Sequence, residues 1–356
     1  MSTTNDNPIH ILLGSDDRYL PGAVVTMASS INASPVGTPF VFHLMDFGIS
    51  GHNCKRLAEF FHRYPNVEVV VHDVDLTPFR QANAPVFSGG GGYAAYARLL
   101  APAFLTEPKV IYIDTDIFIQ KDLRIIWNLP LEGLAFAACL NTSKGGIPNC
   151  DKMSFDCPFS NDPSILTRPY FNSGLMVINL VFWRENDFVR KTLSLIQTDK
   201  RISFADQTII NYLASGCTKM LDPSWNSTPW WTRPVPPNVN LHFTSNFKPW
   251  TDRFFLPAEK IWFAFYDHEV KPHWDVVRTT RRKIRGGIRF LRFYGIPALF
   301  PRTYCALRKC FRKDSMLRRD NDLKQFLAMH TMIFHGLDET SRKTIRDYQA
   351  SLNRLP

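Results

Sequence analysis

Short apolar runs alternate with helix-like stretches over the first half of the chain, and this alternation restricts the folds open to it. Ile9–Gly14 (IHILLG), Pro39–Asp46, Asn66–Asp75 and the run KVIYID from Lys109 read as strands. GLAFAACL, ending at Leu140, and Gly174–Leu180 read as two more. Between them, LPGAVVTMASSINAS, ISGHNCKRLAEFFHRYP and AAYARLLAPAFL read as helices, the second with Ser50 as N-cap and Pro65 as stop. Strands that alternate with helices imply an α/β fold, a mainly parallel sheet covered on both faces. Hydrophobic residues at 45% and charged residues at 21% support a packed core and exclude a disordered chain. Past Ser215 the regularity fades, and Asp222–Asn238 is rich in Pro and Trp.

The stretch KVIYIDTDIFIQKDL places Asp114 and Asp116, one residue apart, at the end of a buried strand. In an open parallel sheet, ligands bind beyond the carboxyl ends of the strands. Two neighbouring carboxylates repel and are costly to desolvate, and a hard divalent cation removes both costs. The other reading is a solvated turn, which apolar residues on both sides argue against. Gly89–Gly92 lacks the Lys-Ser/Thr of a phosphate-binding P-loop and reads as a flexible connection.

Six segments, in order, resemble those of glycosyltransferase family 8, the retaining transferases that use UDP-sugars. They are LLGSDDRYLPGAVVTMASS, YARLLAP, IYIDTDIFIQKDL, YFNSGLMVINLVFWRE, FADQTIIN and HFTSNFKPW, which together span roughly residues 9–250. The resemblance implies a GT-A-like sheet with a Rossmann-like nucleotide-binding half. It implies that Asp114, Asp116 and His242 bind Mn2+, with Mg2+ as second choice, against the diphosphate of UDP; taken alone, His242 in its apolar stretch would read as structural. Lys248 would meet diphosphate oxygens, or face solvent. Asp16 would accept from uracil N3–H or cap a helix, and Tyr19 would stack on the base or pack internally. Gly14 would let the backbone approach the nucleotide. Arg98 would contact donor sugar and phosphate or form a structural ion pair. Asn172 would bind sugar hydroxyls or cap the following strand.

Asp206 and Gln207 match the catalytic pair beside the sugar ring, Asp206 alternatively serving as an N-cap. Gln207 would stabilise positive charge at the anomeric carbon. The chain departs from the family pattern at Ser245 and Thr208, and Asn141 stands where some relatives carry an acceptor-binding Asp. The implied donor is UDP-galactose or UDP-glucose, and the acceptor a saccharide, as on lipopolysaccharide or another glycolipid. The competing class is a non-catalytic protein that binds sugar nucleotides or glycans.

The net charge of +10 is unevenly placed, because residues 276–319 alone carry +13. That segment interleaves Lys and Arg with Ile, Leu, Phe and Tyr, which suits an anionic membrane surface and not nucleic acid, since no nucleic-acid module precedes it. The expected division is a catalytic domain over 1–275 and a basic, amphipathic region over 276–356. Seven scattered cysteines without a C-x-x-C pair point to a reducing compartment. With no signal-peptide pattern and no apolar run of 18 residues, the expected location is cytoplasmic, peripheral on the inner face of the cytoplasmic membrane.

Overall fold

The computed structural model describes residues 7–85, 92–141, 152–153, 162–198, 205–228, 235–244, 248–251 and 257–280. Nine strands lie in these: β1 (Ile9–Ser15), β2 (Phe40–Asp46), β3 (Val67–Asp73), β4 (Lys109–Ile113), β5 (Ile117–Phe118), β6 (Phe136–Leu140), β7 (Phe171–Asn179), β8 (Thr218–Met220) and β9 (Leu241–His242). Seven of them form one sheet in the order β3-β2-β1-β4-β7-β6-β8, while β5 and β9 pair separately. The ladders β1/β2, β2/β3, β1/β4 and β6/β8 are parallel, as the alternation of elements predicts. β7 runs antiparallel to both of its neighbours, β4 and β6.

Period-two patterning sends the strand residues to two cores. On one face Ile9, Ile11 and Leu13 lie beside Phe40, Phe42 and Leu44, all buried. The Phe42 ring meets Phe61 of α2 (Gly51–Phe61) there. The opposite face of the sheet joins Leu12, Met45, Tyr112 and Ile178 to Tyr96, Trp183, Phe188 and Ile209 in a second core. The helix α1 (Leu20–Asn32) is buried on nearly every side, from Leu20 to Ser30. Ser50 does stand at the N-cap of α2, but without a side-chain cap; Asp17 Oδ1 instead accepts from its backbone N–H at 2.9 Å.

The stretch AAYARLLAPAFL is not one α-helix. Gly92–Leu100 is a 3-10 helix, and a single α-turn follows over Ala101–Phe104. Pro102 explains the break, since it has no N–H to give the carbonyl of Arg98 and its ring crowds that turn. The chain divides into two compact units, one made of 1–228, 236–250 and 262–281, the other of 229–235, 251–261 and 282–356. The seven-strand sheet and the candidate active-site residues belong to the first. Of the basic segment, only the short helix Val276–Thr280 falls within the described residues.

α1 holds the connection between β4 and β5 in place. Thr26 Oγ1 lies 3.1 Å from Thr115 O and 2.8 Å from Ile117 O. Gly22 permits this approach, because a Cβ there would collide with Thr115 O and the Trp250 ring. Gly22→Ala is therefore expected to destabilise the fold by about 1–3 kcal/mol through overpacking, despite alanine's higher helix propensity. Chemical denaturation of the two proteins measures this, and equal stability would show that α1 can shift away from Thr115.

Candidate active site

The buried run Val110–Ile113 delivers Asp114 to the edge of the sheet, where a tight turn begins. Asp114 N donates to Gly174 O (2.7 Å) and Ile117 N to Asp114 O (3.1 Å). β5 then pairs with β9, setting Ile117 opposite His242, and Phe243 N donates to Asp116 O (2.9 Å). This pairing brings together residues more than 120 positions apart. His242 Nε2 lies 3.6 Å from Asp114 Oδ2 and 3.3 Å from Asp116 Oδ1. The three residues could hold a metal ion between their ligand atoms.

A chain of amides fixes the imidazole. Gly174 N–H and Asn226 Nδ2 both donate to Asn172 Oδ1, at 3.0 and 2.8 Å. Asn226 must then turn its oxygen toward His242, where Oδ1 accepts from Nδ1 at 2.7 Å. With the proton on Nδ1, Nε2 presents a lone pair to two carboxylates. Three acceptors facing one another repel unless a cation lies between them. Gly174 leaves the room, because a Cβ there would strike His242 and Asp114 Oδ2.

Charge balance points the same way. Arg98 is buried, with Nη2 3.1 Å from Asp114 Oδ1, Nη1 2.8 Å from Ser173 O, and its guanidinium over the Tyr112 ring at 3.9 Å. Its Nε lies 3.0 Å from Asp206 Oδ2 but aims its N–H at Ala95 O, so that contact is ionic and not a hydrogen bond. Burial lifts the Asp206 carboxyl to about 6 against the pull of Arg98, and Asp114 adds to the rise. Lys248 Nζ sits 2.5 Å from Asp116 Oδ2 and 2.7 Å from Phe243 O. Burial opposes ionisation of Asp116, yet the Lys248 ammonium holds its carboxyl well below the usual range. Three carboxylates thus face two cations. One imidazole and two carboxylates form a donor set that fits a divalent cation of the Mn2+ type.

Other expected site residues sit on protein partners. Asp16 Oδ1 accepts from the N–H groups of Arg18 (2.9 Å) and Tyr19 (3.0 Å), and its Oδ2 from Arg18 Nε (2.8 Å). Tyr19 meets Trp250 edge-on, and Trp250 Nε1 donates to Arg18 O (3.0 Å). The space beside Gly14, where a side chain would project, is filled by Phe47. Gln207 Oε1 accepts from Ser173 N at 3.1 Å, which aligns the Asp206–Gln207 helix (Ala205–Leu213) with the start of β7. Contacts therefore join Asp114, Asp116, His242, Lys248, Arg98, Asn172, Asp206 and Gln207 in one network. Asn226 and Ser173 are the members that sequence reasoning missed. Ser245 lies outside the described residues.

A mostly parallel sheet with paired acids and a histidine at its carboxyl edge is an arrangement of the GT-A kind. Residues 10–253 match the model of glycosyl transferase family 8, and the chain belongs to this family. It is 26% identical to a putative glycosyltransferase of Haemophilus influenzae, over 62% of this chain and 64% of that one. It is 23% identical to a lipopolysaccharide 1,2-glucosyltransferase of Escherichia coli, over 67% of this chain and 72% of that one. The match spans only about half, 48%, of a third relative, the glycosyltransferase GlyB of Streptococcus pneumoniae. Among solved structures, the galactosyltransferase LgtC with donor and acceptor sugar analogs superposes with a TM-score of 0.64 at 21% identity, covering 77% of this chain and all of that one.

The amide chain makes a prediction. Asn226→Ala frees the His242 ring and should weaken Mn2+ binding about 10–100-fold, the usual effect of losing a partner behind a ligand. Calorimetric titration with Mn2+ reads this directly. Unchanged affinity would mean that Asn226 does not set the ring.

Proposed function

We propose that the protein is a retaining hexosyltransferase. It moves galactose or glucose from a UDP-sugar to a saccharide acceptor such as lipopolysaccharide or another glycolipid, with Mn2+ held by Asp114, Asp116 and His242. The observation that carries this reading is the lone pair of His242 Nε2 converging with two carboxylates at the carboxyl edge of the sheet. When bound, the dication supplies neutralisation of the diphosphate as it leaves. The names of two relatives, a lipopolysaccharide glucosyltransferase and a galactosyltransferase, support the choice of sugars and of acceptor class.

The chain's own groups then take these roles. Lys248 shares its charge between Asp116 and the diphosphate, and Arg98 holds Asp114 and Asp206 in register. Asp16 and Tyr19 receive the base, and Asn172 and Asp206 orient the sugar. A double displacement needs a carboxylate free to attack the anomeric carbon. Asp206 is buried against Arg98, and the neighbouring Gln207 is a poor nucleophile. The transfer therefore proceeds on one face. The bond from the anomeric carbon to UDP breaks, the acceptor hydroxyl bonds to that carbon from the same side, and its proton passes to a UDP oxygen. The Gln207 carbonyl, oriented by Ser173 N–H, stabilises the positive charge that develops on the sugar.

The test is donor hydrolysis and transfer with Mn2+ across several UDP-sugars. UDP-galactose or UDP-glucose should be turned over by the wild type and not by Asp116→Asn. Gln207→Ala should lower kcat about 100-fold or more with KM little changed. Binding without turnover of any donor would favour the non-catalytic class, and full activity of Asp116→Asn would remove the metal site.

The +13 charge of residues 276–319 supports a second part of the reading, attachment to an anionic membrane face. No helix among the described residues is long and apolar enough to cross a membrane. The full chain should cosediment with vesicles containing anionic lipid, lose that binding as salt is raised, and ignore neutral vesicles. Equal binding to both kinds of vesicle would reject the electrostatic attachment.

A further inference from the structure

A second cluster of titratable groups lies away from the residues discussed so far. His10 of β1, His43 of β2 and His72 of β3 share one face of the sheet, because parallel register sets His10 opposite Val41, Leu12 opposite His43 and Met45 opposite His72. His10 Nδ1 is 3.0 Å from His43 Nε2, and His43 Nδ1 is 3.0 Å from His72 Nε2. Glu107, between the Ala101–Phe104 turn and β4, completes the group, with Oε1 3.7 Å from His10 Nδ1 and 3.9 Å from His43 Nε2. His10 precedes Gly14 by four residues, about 13 Å along the strand, so the cluster is remote from the D-x-D turn.

The geometry points to a site for a borderline first-row dication, Zn2+ foremost, held by His10 Nδ1, His43 Nε2 and Glu107 Oε1. Three observations carry it. The three atoms lie 3.0, 3.7 and 3.9 Å apart, so the point equidistant from all three is about 2.1 Å from each, the length of Zn–N and Zn–O bonds. Among the described residues Glu107 pairs with no Lys or Arg. Its Oε2 is buried without a hydrogen bond, and the Arg184 guanidinium nearby goes to the backbone carbonyls of Pro102, Leu105 and Glu107. Lys109 turns to Trp127 instead.

Lastly, His72 Nε2 lies 3.0 Å behind His43 Nδ1, and in the Nδ1–H tautomer of His43 it accepts that proton's hydrogen bond, the arrangement that fixes a ligating imidazole. Two nitrogens and one oxygen favour Zn2+ over Mn2+, whereas the D-x-D set is richer in oxygen. His10 and Glu107 retain about a fifth of their exposure, enough for an ion to enter and for water to take the fourth position.

In the metal-free protein a proton lies between His10 and His43. Loading requires Nδ1–H on His43 and the proton of His10 on Nε2, so no net proton is released. The bound ion would fasten β1 and β2 to the segment leading into β4.

The test titrates the full-length, chelator-stripped protein with Co2+ and follows d–d absorption and stoichiometry, then adds Zn2+. The wild type and Asp116→Asn should both show a d–d band without thiolate charge transfer, and Zn2+ should abolish it. Glu107→Gln and His10→Gln should each weaken this binding at least ~10-fold while far-UV circular dichroism and donor turnover with Mn2+ stay as in the wild type. A wild type that binds a single ion, lost in Asp116→Asn, would overturn the proposal. So would a band of full strength in both folded variants. Loss of donor turnover in Asp116→Asn alone bears on the D-x-D site and leaves this one standing.

Discussion

The mutual repulsion of Asp114 and Asp116 organises the structure around them. Two carboxylates at the end of a buried strand need positive charge, and the protein brings it from distant parts of the chain. Arg98 arrives on a 3-10 helix packed against the sheet, and Lys248 follows the strand that pairs with β5. His242 adds an imidazole whose free nitrogen faces the same point. Each of these groups is buried, so each would be costly alone, and each is acceptable only because the others are present.

Glycine and amide side chains do the fine placement. Gly174 keeps clear the volume that His242 and Asp114 approach, and Gly22 lets α1 press on Thr115. Asn172, Asn226 and His242 form a hydrogen-bonded line in which every donor direction follows from the one before. The line starts at a backbone N–H, so the strand itself decides which imidazole nitrogen is left bare.

Much of this was legible in the sequence. Apolar runs located β1 to β4 within a residue or two, and the D-x-D turn with His242, Lys248 and Asp206–Gln207 followed from ordered segments. Other parts were not. Period-two patterning carries no strand direction, so the reversal of β7 had to be seen. Pro102 forbids the single helix that composition suggested. Asn226 lies in a Pro- and Trp-rich stretch without periodicity, and only its hydrogen bonds reveal a role. The row His10, His43, His72 and Glu107 is spread over almost a hundred residues and comes together through parallel register alone.

The reversal of β7 has a further consequence. Because β7 opposes both β4 and β6, the chain leaves β6 at Leu140 and enters β7 at Phe171 on the same rim that carries Asp114. The thirty residues between those points begin and end near Asp114, and among those the structure describes Lys152 and Pro169 form an isolated bridge outside the seven-strand sheet. A connection that leaves and re-enters the sheet at one rim can change in length and chemistry while the strands beneath it stay fixed.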